Sequence, residues 1–217
     1  MAGGGAALAL APAAARAAAA VAPVANPFAP PPGTAFLIRN ENPYGPSPAA
    51  LRAIADQAAN GCYYSDSAEE ALAAMIAERH GLTPAHVLIG AGSSEVLNCA
   101  TMGLSAGGHI LASELTFNPP LSYAQEKGVA VRPVPLDATM GIDLRAMAAA
   151  VTADTRLVHV CNPNNPTGRL LPAADLRRLA AGLGPNVVLL VDEAYNDLTD
   201  DPAANSLVDR VRAGDAV

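Results

Sequence analysis

"RLVHVCNPNNPTG", residues 156–168, decides the fold. Its first half is a continuous apolar run rich in valine, the pattern of a strand covered on both faces. Its second half sets Asn162, Pro163, Asn164, Asn165, Pro166 and Gly168 where the chain must turn, and a helical pattern follows over Pro172–Ala181. Asn and Pro are ordinary turn formers, so the corner taken alone is a tight, well-punctuated loop. What it serves depends on whether the rest of the chain repeats the same strand, corner and helix.

It does. Short apolar runs occur at His86–Gly90, His109–Ser113, Val129–Val134 and Asn186–Asp192, and helical patterns at Ser93–Leu104 and Asp143–Val151 lie among them. Upstream, Ser47–Gly61 and Ser67–Gly81 each open on serine and close on glycine, the punctuation of a helix with a hydroxyl cap and a left-handed end. Buried strands alternating with helices predict an α/β fold of three layers, a mostly parallel sheet with helices on both faces. Ligands of such sheets sit beyond the carboxyl ends of the strands, so the residues that follow each run are the candidate site.

Composition limits the classes of function. The 217 residues are 51% hydrophobic, enough for a sizeable core, and carry a net charge of −7 with no lysine or arginine cluster. That balance excludes a nucleic-acid surface, which needs basic side chains concentrated on one face, and favours small-molecule chemistry. Cys62, Cys99 and Cys161 lie far apart without metal-ligand spacing and read as packing thiols, Cys99 and Cys161 in segments expected to be buried. Residues 1–32 are almost all Ala, Gly, Pro and Val, with Arg16 the single charge. They read either as an export signal that has lost its basic start or as an unstructured leader, with the folded domain over 33–217. The protein is accordingly expected in the cytoplasm, or in the periplasm if the leader directs export. No segment has the length and apolarity to span a membrane.

Four strand ends carry chemistry. After His86–Gly90 comes "AGSSE", where Gly92 opens a helix beginning with Ser93 and Ser94. Exposed N–H groups, a positive helix end and two hydroxyls suit an anion there, although a plain serine cap has the same sequence. Phe117 follows the second run in a chain with only three Phe and no Trp. Asn165 stands in the opening corner. Asp192 ends the last run and Tyr195 lies three residues on; a carboxylate at the end of a buried strand must be paired, functional or a helix cap. One ligand satisfies all four corners: a flat, anionic heteroaromatic with a phosphate, a ring face, a phenolic oxygen and a ring nitrogen that needs a counter-charge. Pyridoxal 5'-phosphate has those parts.

The segments "RNENPYGPSP" (39–48), "YYSD" (63–66), "GAGSSEVL", "LTFNPPLSYA", "NPNNPTG" and "VDEAYNDL", in this order, resemble the fold-type I pyridoxal-phosphate aminotransferases, most of all the histidinol-phosphate aminotransferase group. The resemblance runs from about Phe36 to Val217. It implies that Asn165 and Tyr195 hydrogen-bond the phenolic oxygen and that Asp192 pairs with the ring nitrogen. It also implies that Phe117 stacks on the ring, and that Gly92, Ser93 and Ser94 bind the phosphate. Tyr64 would reach the phosphate of a neighbouring subunit in a homodimer, and Asn42 and Tyr44 would line the substrate entrance. The implied reaction moves an amino group between an amino substrate and a 2-oxo acid.

The family also implies a Schiff-base lysine in an S-x-x-K context beyond the aspartate, and a small carboxy-terminal domain. The sole lysine of this sequence is Lys127, in a helix-terminal setting where an exposed lysine is ordinary. The sequence therefore reads as part of a longer aminotransferase, expected as given to hold the cofactor non-covalently and not to transaminate. A decarboxylase of amino-acid phosphates on the same scaffold, and a catalytically dead binding or interaction module, are the alternatives.

Overall fold

Four parallel strands, β1 (His109–Ser113), β2 (Ala130–Val134), β3 (Thr155–Cys161) and β4 (Val188–Asp192), form one sheet in the order β2-β1-β3-β4. The computed structural model describes residues 30–31, 33–35 and 37–217, so the expected unstructured leader before Asn26 lies outside the described residues. The chain divides into two units, 1–62 and 63–217. Among the described residues no helix is long and apolar enough to cross a membrane.

The sheet belongs to the second unit. Strands β1 and β3 are central and buried along almost their whole length, which is why their sequences lack polar alternation. Helix α4 (Pro119–Glu126) carries the chain from β1 to β2 and packs, with α3 (Ser93–Leu104), on the face of Ile110, Ala112 and Leu157. Helices α5 (Leu144–Ala150) and α6 (Ala173–Gly182) carry it from β2 to β3 and from β3 to β4. They cover the opposite face, where Met147, Leu176 and Leu179 meet Leu111, Val158, Val160 and Leu189. The result is the expected three-layer fold. Because α4 leaves β1 to one face and α6 leaves β3 to the other, the chain reverses its winding between these neighbouring strands, the switch point at which open α/β sheets form a crevice.

Local sequence explains most boundaries. Asp143 Oδ1 accepts from Arg145 N and Ala146 N and starts α5. Helix α2 (Asp66–His80) ends at Gly81 with φ 62°, the left-handed cap that its glycine foretold, but Ser65 rather than Ser67 stands at its amino end. Gly108 has no alternative: a Cβ there would lie 2.2 Å from the Asp154 carbonyl oxygen, because β1 begins against the turn before β3. Two short helices, α7 (Pro202–Asn205) and α8 (Val208–Arg212), follow β4, and Arg212 Nε donates to the Gly81 carbonyl at 3.1 Å, fastening α8 to the end of α2.

Two expectations fail. His86–Gly90 is not a strand: His86 ends a 3-10 turn at Pro84–His86, Val87 after it is extended, and among the described residues no strand pairs with 87–90 to complete a ladder. Cys99 is exposed, as is Cys62, whereas Cys161 is buried. Helix α3 buries Leu97 and Thr101, four residues apart, so Cys99 between them falls on the opposite side of the helix.

The first unit contains α1 (Pro48–Gln57), whose amino end is capped by Ser47 Oγ accepting from Ala50 N at 3.2 Å, followed by a 3-10 turn at Ala58–Asn60.

Candidate functional site

The carboxyl ends of β1, β3 and β4 and the amino end of α3 converge on one region. Asp192 closes β4 and is buried, with the Asn162 N–H donating to its carbonyl at 2.9 Å across to β3. Its carboxylate Oδ1 accepts from Ala194 N at 3.1 Å. Burial pushes the Asp192 carboxyl above the ordinary carboxylate range, and the Ala194 N–H offsets only part of this. Among the described residues no basic side chain pairs with it. A buried carboxylate without a counter-ion is costly, so the position suits a cationic partner.

Asp192 opens onto a cleft of about 470 Å³ that also takes in Gly92 and Ser93. Gly92 stands at the amino end of α3 with φ 79°, and a Cβ there would meet nothing within 4 Å. The space in front of the helix end is therefore open, Ser93 and Ser94 are exposed beside it, and an anion entering the corner meets free N–H groups. Glu95 shapes the turn that leads in: its Oε2 accepts from Ala91 N at 2.6 Å. An acidic residue in the first turn of a helix is a legible signal, and sequence reasoning passed over it.

Asn165 Nδ2 donates to the Tyr195 hydroxyl at 3.4 Å, so these two hydrogen-bonding groups meet at one place, both half-buried. Phe117, also half-buried, is tied to the same corner through its neighbours: Asn164 Nδ2 donates to Leu115 O at 3.1 Å and Thr116 Oγ1 to Asn164 Oδ1 at 2.9 Å. Beneath them lies Cys161, whose thiol donates to Pro163 O. Burial pushes the Cys161 thiol up to about 11, with the backbone N–H groups of Asn165 and Phe117 acting the other way. The thiol is thus a neutral floor between β1, β3 and β4. Asn162, buried, completes the corner: its Oδ1 accepts from Leu171 N at 2.7 Å and its Nδ2 donates to Leu171 O at 3.3 Å.

The structure thus brings together Gly92, Ser93, Asp192, Asn165, Tyr195 and the loop that carries Phe117. Ser94 follows Ser93 on the first turn of α3. Tyr64 is almost fully exposed. In the first unit, Asn42 and Tyr44 lie in one exposed turn in which Asn42 Oδ1 accepts from Tyr44 N at 3.1 Å and Asn42 Nδ2 donates to Gly45 O at 3.0 Å. Lys127 is exposed at the carboxyl end of α4, its Nζ over the Tyr123 ring at 5.5 Å. That is the end of α4 remote from the strand tips, about 12 Å of helix away from Phe117's loop.

These parts fit pyridoxal phosphate: an anion corner and an unpaired buried carboxylate share one cleft, and two hydrogen-bonding side chains converge beside it. Comparison with known proteins leads to the same place. Over 160 residues the chain is 42% identical to a histidinol-phosphate aminotransferase of Erythrobacter litoralis, covering 73% of this chain and 43% of that protein. It is 39% identical over 165 residues to an aromatic amino acid aminotransferase of Rhodococcus opacus, covering 76% and 46%. The crystal structure of histidinol-phosphate aminotransferase from Sinorhizobium meliloti in complex with pyridoxal-5'-phosphate superposes with a TM-score of 0.70 at 29% identity, covering 76% of this chain and 45% of that one. The chain spans less than half the length of these relatives. The family model described as aminotransferase class I and II matches residues 37–217, and the chain belongs to that family.

Proposed function

We propose that the protein containing this chain is a pyridoxal-phosphate-dependent aminotransferase that moves an amino group between a donor with a planar ring in its side chain and a 2-oxo acid. The observation that carries the proposal is the single cleft shared by the open helix end at Gly92 and the buried, unpaired carboxylate of Asp192. Two relatives act, by name, on histidinol phosphate and on aromatic amino acids, and a planar ring is what those substrates have in common.

When bound, pyridoxal phosphate supplies a conjugated ring that accepts the electron pair left when the substrate's Cα–H is removed. The residues of this chain have distinct parts in the proposal. Gly92, Ser93 and Ser94 hold the phosphate through helix N–H groups and hydroxyls. Asp192 stays ionised against the ring nitrogen and keeps a proton there, which the apolar floor around it strengthens. Asn165 and Tyr195 donate to the phenolic oxygen, and Phe117 covers one ring face so that the ring cannot tilt. Tyr64, exposed on this chain, would serve a neighbouring copy's phosphate in a homodimer. Lys127 takes no part, so covalent attachment calls on a lysine outside residues 1–217.

The test is to express the whole reading frame that contains this sequence and to assay amino transfer from histidinol phosphate and from phenylalanine to 2-oxoglutarate. The expected result is transfer from at least one donor, with Asp192→Asn reducing kcat by at least about a hundredfold, the scale on which a lost electrostatic partner of the reacting system is felt. Decarboxylation without transfer would replace the reading with its alternative. No reaction on either donor, despite bound cofactor, would leave a binding module.

A further inference from the structure

We propose that Asn164 is a positioning residue that holds the two walls of the cofactor slot in register across the switch point between β1 and β3; the proposal rests on the cofactor reading above. Asn164 is 2% exposed, and every hydrogen-bonding group it has is used. Its Nδ2 donates to Leu115 O at 3.1 Å and to Thr167 Oγ1 at 3.0 Å, and its Oδ1 accepts from Thr116 Oγ1 at 2.9 Å. Its backbone N–H donates to Arg169 O at 2.9 Å and its carbonyl accepts from Gly168 N at 2.7 Å.

The placement of these bonds matters more than their number. The chain leaves β1 for one face of the sheet and β3 for the other, so the loops that follow diverge and the ladder no longer joins them. Among the described residues, the side-chain hydrogen bonds between residues 115–117 and 162–168 run through Asn164, above the Cys161 thiol, toward which the backbone N–H groups of Phe117 and Asn165 both point. Each end of this tie adjoins a residue assigned to the ring: Phe117 directly follows Thr116, and Asn165 directly follows Asn164. A stacking ring and a hydrogen-bond donor set for one flat ligand must agree to within a fraction of an ångström, and only a buried, fully bonded group fixes that spacing. Asn164 also fixes its own loop, through Thr167 and Gly168, so the corner moves as one piece with Leu115 and Thr116.

The experiment uses the protein expressed from the whole reading frame that contains this sequence, with Asn164→Ala and, as a variant that removes one hydroxyl without changing side-chain volume, Thr116→Val. Pyridoxal phosphate affinity is measured by induced circular dichroism of the bound ring, and affinity for inorganic phosphate by competition. Both variants are expected to bind pyridoxal phosphate more weakly, Asn164→Ala by about tenfold, and to show an altered induced band, while phosphate affinity at the Gly92–Ser94 corner is unchanged. Unchanged pyridoxal phosphate binding, or equal weakening of both ligands, would overturn the proposal, the second because it marks general loosening. If the unaltered whole protein takes up no pyridoxal phosphate, the cofactor reading falls. Amide exchange at Leu115–Phe117 then decides: faster exchange in Asn164→Ala supports the tie, and unchanged exchange removes it.

Discussion

Cys161 and Asp192 are register partners at the ends of adjacent parallel strands, a thiol held neutral beside a carboxylate held in unfavourable surroundings. Neither helps the other: the carboxylate makes the thiol harder to ionise, and the thiol is no counter-ion. Such a pair suits a site that awaits a cation.

Asp192→Asn is expected to stabilise the ligand-free chain. The folded state raises this carboxyl above its unfolded value, so ionised Asp192 costs stability at neutral pH. The cost fades as pH falls through the raised value and is gone below the ordinary carboxylate range. The variant should show a higher urea midpoint at pH 7, the gain shrinking to nothing in acid, together with weaker pyridoxal phosphate binding.

His159 sets an acid limit of the opposite sign. Its ring is fully buried on β3 with neither nitrogen hydrogen-bonded, and burial lowers it to about 4. An unfolded histidine takes up its proton nearer 6.5, so stability is lost as pH falls from there and the loss is complete below about 4. The loss amounts to about 3 kcal/mol. His159→Leu should flatten the dependence of the urea midpoint between pH 7 and pH 4.5.

Thiol labelling should divide the cysteines. Cys62 and Cys99 are exposed, while Cys161 is buried with its thiol pushed up to about 11. In the native chain at pH 8 an aromatic disulfide reagent should titrate Cys62 and Cys99, with Cys161 reacting only after unfolding. Rapid reaction of Cys161 in the native chain would contradict the packed floor of the site.

Gly108→Ala should cost about 2–3 kcal/mol, because the new methyl group meets the Asp154 carbonyl oxygen at 2.2 Å and Arg156 Cγ at 2.6 Å. The contact lies at the opposite end of the sheet from the site. The urea midpoint should therefore fall while pyridoxal phosphate affinity, measured well below the transition, stays within about twofold.

The order of elements was legible because β1 and β3 are apolar throughout and the helices between strands carry clear end signals, as at Asp143 and Gly81. Ser93–Leu104 and His109–Ser113 are found at the residues their patterns gave. The run at His86–Gly90 misled because composition records apolarity but not whether a neighbouring strand is present to pair with it. The corners after β3 and β4 were legible, since Asn165 and Asp192 each break a pattern that packing alone would continue. Asn164 and Thr116 were not, because their importance lies in bonds between loops 48 residues apart, and spacing along a sequence carries no trace of such a meeting.

The Gly92 corner, the Phe117 loop, the Asn165 corner and Asp192 come from four separate stretches of chain and meet only when the whole sheet has assembled. A ligand gripping all four is bound by the folded state alone, and its binding energy adds to the free energy of folding. At a hundred times its dissociation constant that linkage is worth about 2.7 kcal/mol. Vitamin supply would then govern not only how much of the protein is loaded but how much of it survives heat and proteases.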